Sequence, residues 1–527
     1  MKITLRLALA CTAILFAFVI AGVHPAAGSA ETYRISGVVI NSITGQPVAQ
    51  VHLVASGAAG GSGERETYSG ADGKFTIENV PAGVWNLAAE RKGFVSKSYE
   101  QKNVFNSGAS SVITGPDGVS EGLVFRLDRT AAISGKVTDE NGDPLPGTIV
   151  HLLVQVSSGH KQVMLRKVVA ADDLGEYRMW DLPPVTCYLA VLVPAAPPEE
   201  SGPDSTGFAL QYYPNTSDPH RAAPIELKPA GEVTANFVMH PARGVSVVME
   251  GKSGVPGGEE SEVMILMREG PQGSSMSSST LGPGRGRIFD HIAPGRYKLV
   301  VCDLSSTYVT SRWIDVGSED LTVSLPFPNP PDVTARVSLV DGDPALLHSA
   351  TLGIDMRSAP STTARPLNPD GTANFPAQAS GRYEVVLNSN QQLYIKSISA
   401  QNARVADGQV ELPEAGPVKL EIVASGDGAR VKGKVRTAGK PVSGVEVILV
   451  PRKESGNPED CHGYQSDSDG SFDFTGIKPG DYLLFATKEW PIEYADRAAI
   501  QSYLPLAKTV KAMPKGTVDI QLELVHP

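Results

Sequence analysis

One feature constrains this chain more than any other: a short closing phrase that returns about once every hundred residues. Its anchors are Gly83, Val185 (where Val replaces Gly), Gly295, Gly381 and Gly480, spaced by 102, 110, 86 and 99 residues. A second set, the glycines Gly37, Gly135 and Gly433 of an opening strand, is separated by 98 and then 298 residues, one and three repeats. Both sets count five units. A period this long describes whole small domains in tandem, not a solenoid of short repeats.

The clearest copy runs from Arg430 to Lys488. Val431 to Val435 alternates, Gly439-Lys440-Pro441 turns, and Val445 to Val450 resumes. Ser466 to Phe474 then reads S-D-S-D-G-S-F-D-F, and Ile477 to Ala486 closes as I-K-P-G-D-Y-L-L-F-A. Alternating apolar residues bounded by Gly, Pro and Asp mark short antiparallel strands. With 53 Gly, 40 Pro and 20% charged residues, the chain suits a turn-rich all-β protein rather than a disordered one.

The wording of the unit resembles the carboxypeptidase regulatory-like domain, a seven-stranded sandwich common in bacterial envelope proteins. The residues that carry the resemblance are Gly433, Gly439-Lys440-Pro441-Val442, Asp469-Gly470-Ser471-Phe472 and Pro479-Gly480-Asp481-Tyr482. Ile35-Ser36-Gly37-Val38-Val39 with Asp72-Gly73-Lys74-Phe75, and Ile133-Ser134-Gly135-Lys136-Val137 with Gly142-Asp143-Pro144, match it too. The resemblance implies about five tandem Greek-key (transthyretin-like, prealbumin-like) β-sandwich domains after an N-terminal signal peptide. The expected division is a signal peptide at 1–30, sandwiches at 31–128, 129–241 and 426–527, and degenerate sandwiches at 242–328 and 329–425. The Gly-Ser stretch Ser56 to Gly63 and the Ser/Gly-rich stretch Gly270 to Gly286 read as loops, the second of them mobile. Glu493 to Leu504 is the one stretch with the look of a short helix.

Lys2 and Arg6, the apolar run Leu7 to Val23 and the small residues Gly28-Ser29-Ala30 describe a secretory signal cut after Ala30. An uncleaved anchor is the alternative, because the run is nearly long enough to span a bilayer. No membrane span is expected in the mature chain. Of the four cysteines, Cys11 leaves with the signal; Cys187, Cys302 and Cys461 remain, one in each of three units. An odd, scattered set is not a disulfide framework, and at most one bridge can form.

Little here points to catalysis. None of the ten histidines begins His-x-x-Glu or His-Glu-x-x-His, so a zinc peptidase site is not expected. Asp467-Ser468-Asp469-Gly470 resembles half of a calcium loop, but Gln465 stands where a further acidic ligand belongs. A turn in which Asp caps the backbone and Gly takes positive φ is the simpler reading. His52 and His151 read as solvent-facing strand residues, and the alternation points Lys136, Lys432 and Lys434 outward, away from any intramolecular isopeptide bond. No enzyme activity, metal or cofactor is expected. The net charge of −11 and the lack of a basic stripe argue against nucleic acid.

Aromatic rings are the remaining lead. Trp85, Tyr297, Tyr383 and Tyr482 belong to the closing motif and should be core. Tyr212 and Tyr213 in the second unit, and Trp490, Tyr494 and Tyr503 in the fifth, follow the closing strand in long insertions and are the candidate ligand-binding residues. Flat rings bind the C–H faces of sugars, although such rings can equally pin their own insertions to the sandwich. The reading is an exported, non-catalytic binding or scaffold protein of the cell envelope, in the periplasm, at the outer-membrane surface or outside the cell. Polysaccharide or envelope proteins are its candidate partners, and carbohydrate its candidate ligand. A structural spacer or protein-interaction module is the alternative, and an accessory part of a peptidase system the third.

Overall fold

The structure, a computed structural model, describes residues 31–527 apart from 58–62, 103, 106–107, 158–160, 194–206, 209, 243–244, 254, 256–257, 270, 272–274, 285–286, 293, 305–308, 326–330, 357–363, 377, 379 and 390–392. The expected signal peptide, most of the Ser56 to Gly63 loop and part of the second unit's insertion lie outside the described residues.

Among the described residues the strands fall into five successive pairs of sheets, each enclosing its own apolar core, and one small two-stranded sheet, Gly207–Phe208 with Pro241–Ala242. In the fifth pair the first sheet sets Ala429–Thr437 between Ser471–Ile477 and Thr517–Glu523. The facing sheet runs His462–Gln465, Glu446–Pro451, Gly480–Thr487 and Lys508–Ala512. Val431, Val435, Val447, Leu449, Phe472, Tyr482 and Leu484 meet between them. Alternation along each strand sends every second side chain inward, which is why one phrase repeated along the sequence yields one core per unit. Trp85, Tyr297, Tyr383 and Tyr482 are all buried, each inside the core of its unit.

The strands are not all antiparallel. In every unit the opening strand pairs antiparallel on one side and parallel to the closing strand on the other. A parallel pair needs a long crossover, and here the whole facing sheet lies between its two strands. Alternation of residue type shows a face but not a strand direction, so the sequence could not reveal this.

The parallel pairing explains the opening-strand glycines. A Cβ on Gly37 would sit 2.1 Å from the Leu123 carbonyl oxygen, on Gly135 1.9 Å from that of Ala235, and on Gly433 1.8 Å from that of Ile520. The closing strand comes so near that only glycine fits. In the third and fourth units Val247 and Ala335 occupy the corresponding register, opposite Leu321 and Leu420. Those units diverge at the position that makes the repeat recognisable.

Several expectations fail for local reasons. Within the stretch expected to be a mobile loop, Ser275–Leu281 is a strand paired with Glu262–Glu269, because backbone ladder bonds do not require apolar side chains. Glu493 to Leu504 is a run of turns ending in the 3-10 helix Leu504–Leu506; no α-helix forms. Fixing a short helix without a cap is unfavourable, and the apolar residues here are spent on docking to the sheet. His151 is buried rather than solvent-facing, with Nδ1 lacking a hydrogen-bond partner, and burial lowers its pKa. Lys434 is half-buried and ion-paired with Asp469. His52 does sit near the surface, between Glu66 (2.9 Å) and Glu90 (3.3 Å).

Candidate functional site

The insertions that carry the candidate rings cover the outer faces of two sheets. In the second unit, Leu153, Val163, Tyr188, Ala190, Leu210 and Tyr212 form a small core behind the main one. In the fifth, Ile448, Val450, Phe485, Ile500 and Tyr503 do the same. Both facing sheets are therefore buried on two sides. Their central strands, Ile149–Ser157 and Glu446–Pro451, read as near-continuous apolar runs for that reason.

This placement separates the five candidate residues. Tyr212 is fully buried and Tyr503 nearly so, so neither ring offers a face to a ligand. That is a correction: these two rings pin their insertions. Tyr503 stacks on Phe485 with centroids 5.0 Å apart, and its hydroxyl donates to Glu489. Tyr213 is partly buried, edge-on to Phe237 of the main core at 6.0 Å. Trp490 is half-buried on the segment that leaves the strand Gly480–Thr487. The Tyr494 ring lies over Gly463, where an added Cβ would come within 2.7 Å of it, and faces a cleft toward the fourth sandwich. Burial pushes the Tyr494 hydroxyl up to about 12. The structure brings Trp490 and Tyr494 onto one insertion and leaves Tyr213 on another unit.

The buried Tyr212 hydroxyl has no hydrogen-bond partner. A buried donor left unpaired costs stability, so removing it should cost nothing. Tyr212→Phe is expected to leave amide protection in Ile149–Ser157 and Thr186–Leu192 unchanged or raised, as measured by hydrogen exchange of residues 31–527.

Sequence reasoning missed a hydrogen-bonded joint between the first and fifth sandwiches. Ser111 N–H donates to Asp467 Oδ1 (2.9 Å), Ser468 N–H to the Ser111 carbonyl (2.9 Å) and Ile113 N–H to Ser468 Oγ (2.9 Å). Ser110 Oγ donates to the Ser466 carbonyl (2.7 Å), and Gln465 Nε2 to the Glu100 carbonyl (2.6 Å) and Ser110 Oγ (3.2 Å). The turn Asp467 to Gly470 thus forms the plug of this joint. Gly470 takes φ +77° and Asp469 Oδ1 accepts from Ser471 N–H, the capped turn expected from sequence. Burial raises the pKa of Asp467 against the opposing pull of Ser111 and Tyr464. Asp469 is also buried, yet Lys434 and Ser471 hold it below its usual value. One signal was available in the sequence. The equivalent turns at Asp72-Gly73 and Asp370-Gly371 lack the polar run Gln465-Ser466-Asp467-Ser468 that precedes Gly470 in the fifth unit.

Among the described residues no three of His, Cys, Asp or Glu gather as a metal set, Cys187 and Cys461 form no disulfide, and no helix is long and apolar enough to cross a membrane.

Residues 34–119, within the first sandwich, match the model of the carboxypeptidase regulatory-like domain. No curated protein matches the chain. Among solved structures, a streptococcal ancillary pilin is similar at 12% identity, covering 55% of this chain and 98% of its own, with a TM-score of 0.17. GBS52, the minor pilin of Streptococcus agalactiae, is 12% identical over 40% of this chain and 96% of its own, with a TM-score of 0.22. The Bacillus anthracis TIE protein is 10% identical over 94% of this chain and 75% of its own, with a TM-score of 0.17. Likenesses this distant carry no argument about function.

Proposed function

We propose that the chain is an exported, non-catalytic binding scaffold of the cell envelope, with carbohydrate as its candidate ligand at the Trp490 surface. The observation that carries the scaffold reading is the joint of the first and fifth sandwiches, whose hydrogen bonds link residues more than 350 positions apart. Units tied together in this way present their loops in fixed relation, as a binding surface requires. Export rests on Lys2, Arg6, the apolar run and Gly28-Ser29-Ala30; the mature protein should begin at Glu31 on N-terminal sequencing.

The carbohydrate reading narrows to Trp490 and Tyr494, since Tyr212 and Tyr503 are buried. Replacing Trp490 by Ala should abolish retention on an insoluble polysaccharide while leaving the melting temperature nearly unchanged. A large loss of stability would make Trp490 a packing residue instead. The burial of Tyr212 and Tyr503 favours the second reading, a spacer or protein-interaction module. A wild-type chain that no polysaccharide retains decides for it.

A further inference from the structure

Where the fourth and fifth sandwiches meet, a cleft of about 330 Å³ opens. That volume lies at the lower end of small-molecule sites, which favour domain junctions. Its walls are tied to each other. Tyr394 Oη donates to Asp427 Oδ1 (2.8 Å) at the start of the fifth unit, and Lys515 N–H donates to the Asp427 carbonyl (2.8 Å). Farther along, the Asn457 side chain lies against Gly408, and Asp407 against Gly456.

The two walls differ in chemistry. The fourth sandwich contributes Leu387, Ile395 and Ile398, from the strands Gly381–Asn388 and Tyr394–Gln401. The fifth contributes Asp460 from the 3-10 turn Pro458–Asp460, His462 from the next strand and Lys478 from the closing motif, with the Tyr494 ring beside them. Among the described residues, the Asp460 carboxylate, the His462 ring and the Lys478 ammonium make no hydrogen bond or ion pair. A carboxylate and an ammonium without a hydrogen-bonding partner on one wall of a cleft, beside an imidazole tilted against Phe474 and across from an aliphatic wall, form a surface complementary to a small zwitterion. Charged groups drawn partly out of water gain most from a partner of opposite sign.

We propose that this cleft binds a small zwitterion with an apolar body, an aliphatic amino acid or the equivalent short peptide. The ligand's ammonium meets Asp460, its carboxylate meets Lys478, and its side chain lies on Leu387, Ile395 and Ile398. Burial lowers the pKa of His462 to about 4, so at neutral pH its ring is uncharged and acts as a hydrogen-bonding group rather than a competing cation. A neutral sugar would leave both charges unpaired. The inference shares only the Tyr494 ring with the carbohydrate reading and rests on Asp460 and Lys478 instead.

Calorimetric titration of residues 31–527 with L-leucine and with L-leucyl-L-leucine tests it. Saturable binding of either is expected, and the tighter of the two distinguishes a free amino acid from a peptide. N-acetyl-leucine, which lacks the ammonium, and leucinamide, which lacks the carboxylate, should each bind at least tenfold more weakly. Asp460→Asn and Lys478→Met should do the same to leucine. Both sites are at the cleft surface, and unchanged melting of the two variants would show that the fold is kept. No saturable binding of either ligand overturns the proposal. So does equal affinity for N-acetyl-leucine and leucine, or binding unaffected in both variants.

Discussion

Gly433→Ala is expected to destabilise the fifth sandwich more than any single truncation of an exposed side chain. The new Cβ would lie 1.8 Å from the Ile520 carbonyl oxygen and 2.9 Å from the Phe472 ring. The nearer atom is backbone in a strand paired in parallel from Thr517 to Glu523, so it cannot rotate away as a side chain would. Relief requires pulling the closing strand off the opening one. Overpacking a tight core usually costs about 1–3 kcal/mol, and a clash with fixed backbone belongs at or above the upper end. That is a large share of the ~5–15 kcal/mol typical of a domain. Gly480→Ala is the control, because Gly480 is exposed and its nearest neighbour to an added Cβ is a ring carbon at 3.5 Å. Unfolding of five linked domains is not two-state, so the comparison is best read from hydrogen exchange in Ala429–Thr437 and Thr517–Glu523. Protection unchanged by Gly433→Ala would mean that the two strands are not held at this spacing.

How much of this could be read from sequence depends on which physical signal each feature leaves. Unit count and core positions were legible because period-two alternation and turn residues are local. The motif rings Trp85, Tyr297, Tyr383 and Tyr482 went where the pattern sent them. Signals failed where a second layer of structure covered the first. His151 occupies an outward strand position, yet that face of the sheet carries a second small core to which Leu210 and Tyr212 belong. Alternation assigns a side, not what lies on it. Tyr212 and Tyr503 stayed open between ligand binding and pinning for the same reason, since an aromatic in an insertion looks alike whether it faces water or its own sheet. The joint of the first and fifth sandwiches left the faintest trace, a turn more polar than its turn geometry needs. A contact between residues 111 and 467 has no local periodicity to betray it.

That joint should loosen as pH rises from about 5 to 8. Glu446, on the central strand of the fifth sandwich's facing sheet, stands near Lys102 of the first sandwich, and Gly444 lies against Glu100. Burial pushes the Glu446 carboxyl up to about 7, although Lys102 pulls it the other way. A carboxyl whose pKa is raised in the closed state favours closure fully below its ordinary value near 4.5, and loses that contribution as pH climbs through 7. Asp467 is shifted in the same direction by burial, so it adds to the effect. Asp469, held low beside Lys434 and Ser471, acts oppositely, but only on acidification below the ordinary carboxylate range. If opening returns Glu446 to water, the change is at most about 3 kcal/mol, against hydrogen bonds of about 0.5–1.5 kcal/mol each. Corrected for intrinsic exchange, protection of the Ser111 and Ile113 amides should fall by up to roughly 100-fold across that range. Glu446→Gln should flatten the profile. Asp467→Lys should open the joint at every pH and enlarge the radius of gyration, because a longer cation cannot occupy a buried site that accepts from Ser111 N–H. A pH profile unchanged by Glu446→Gln would remove Glu446 from the mechanism, and a radius of gyration unchanged by Asp467→Lys would show that the two sandwiches are held together elsewhere.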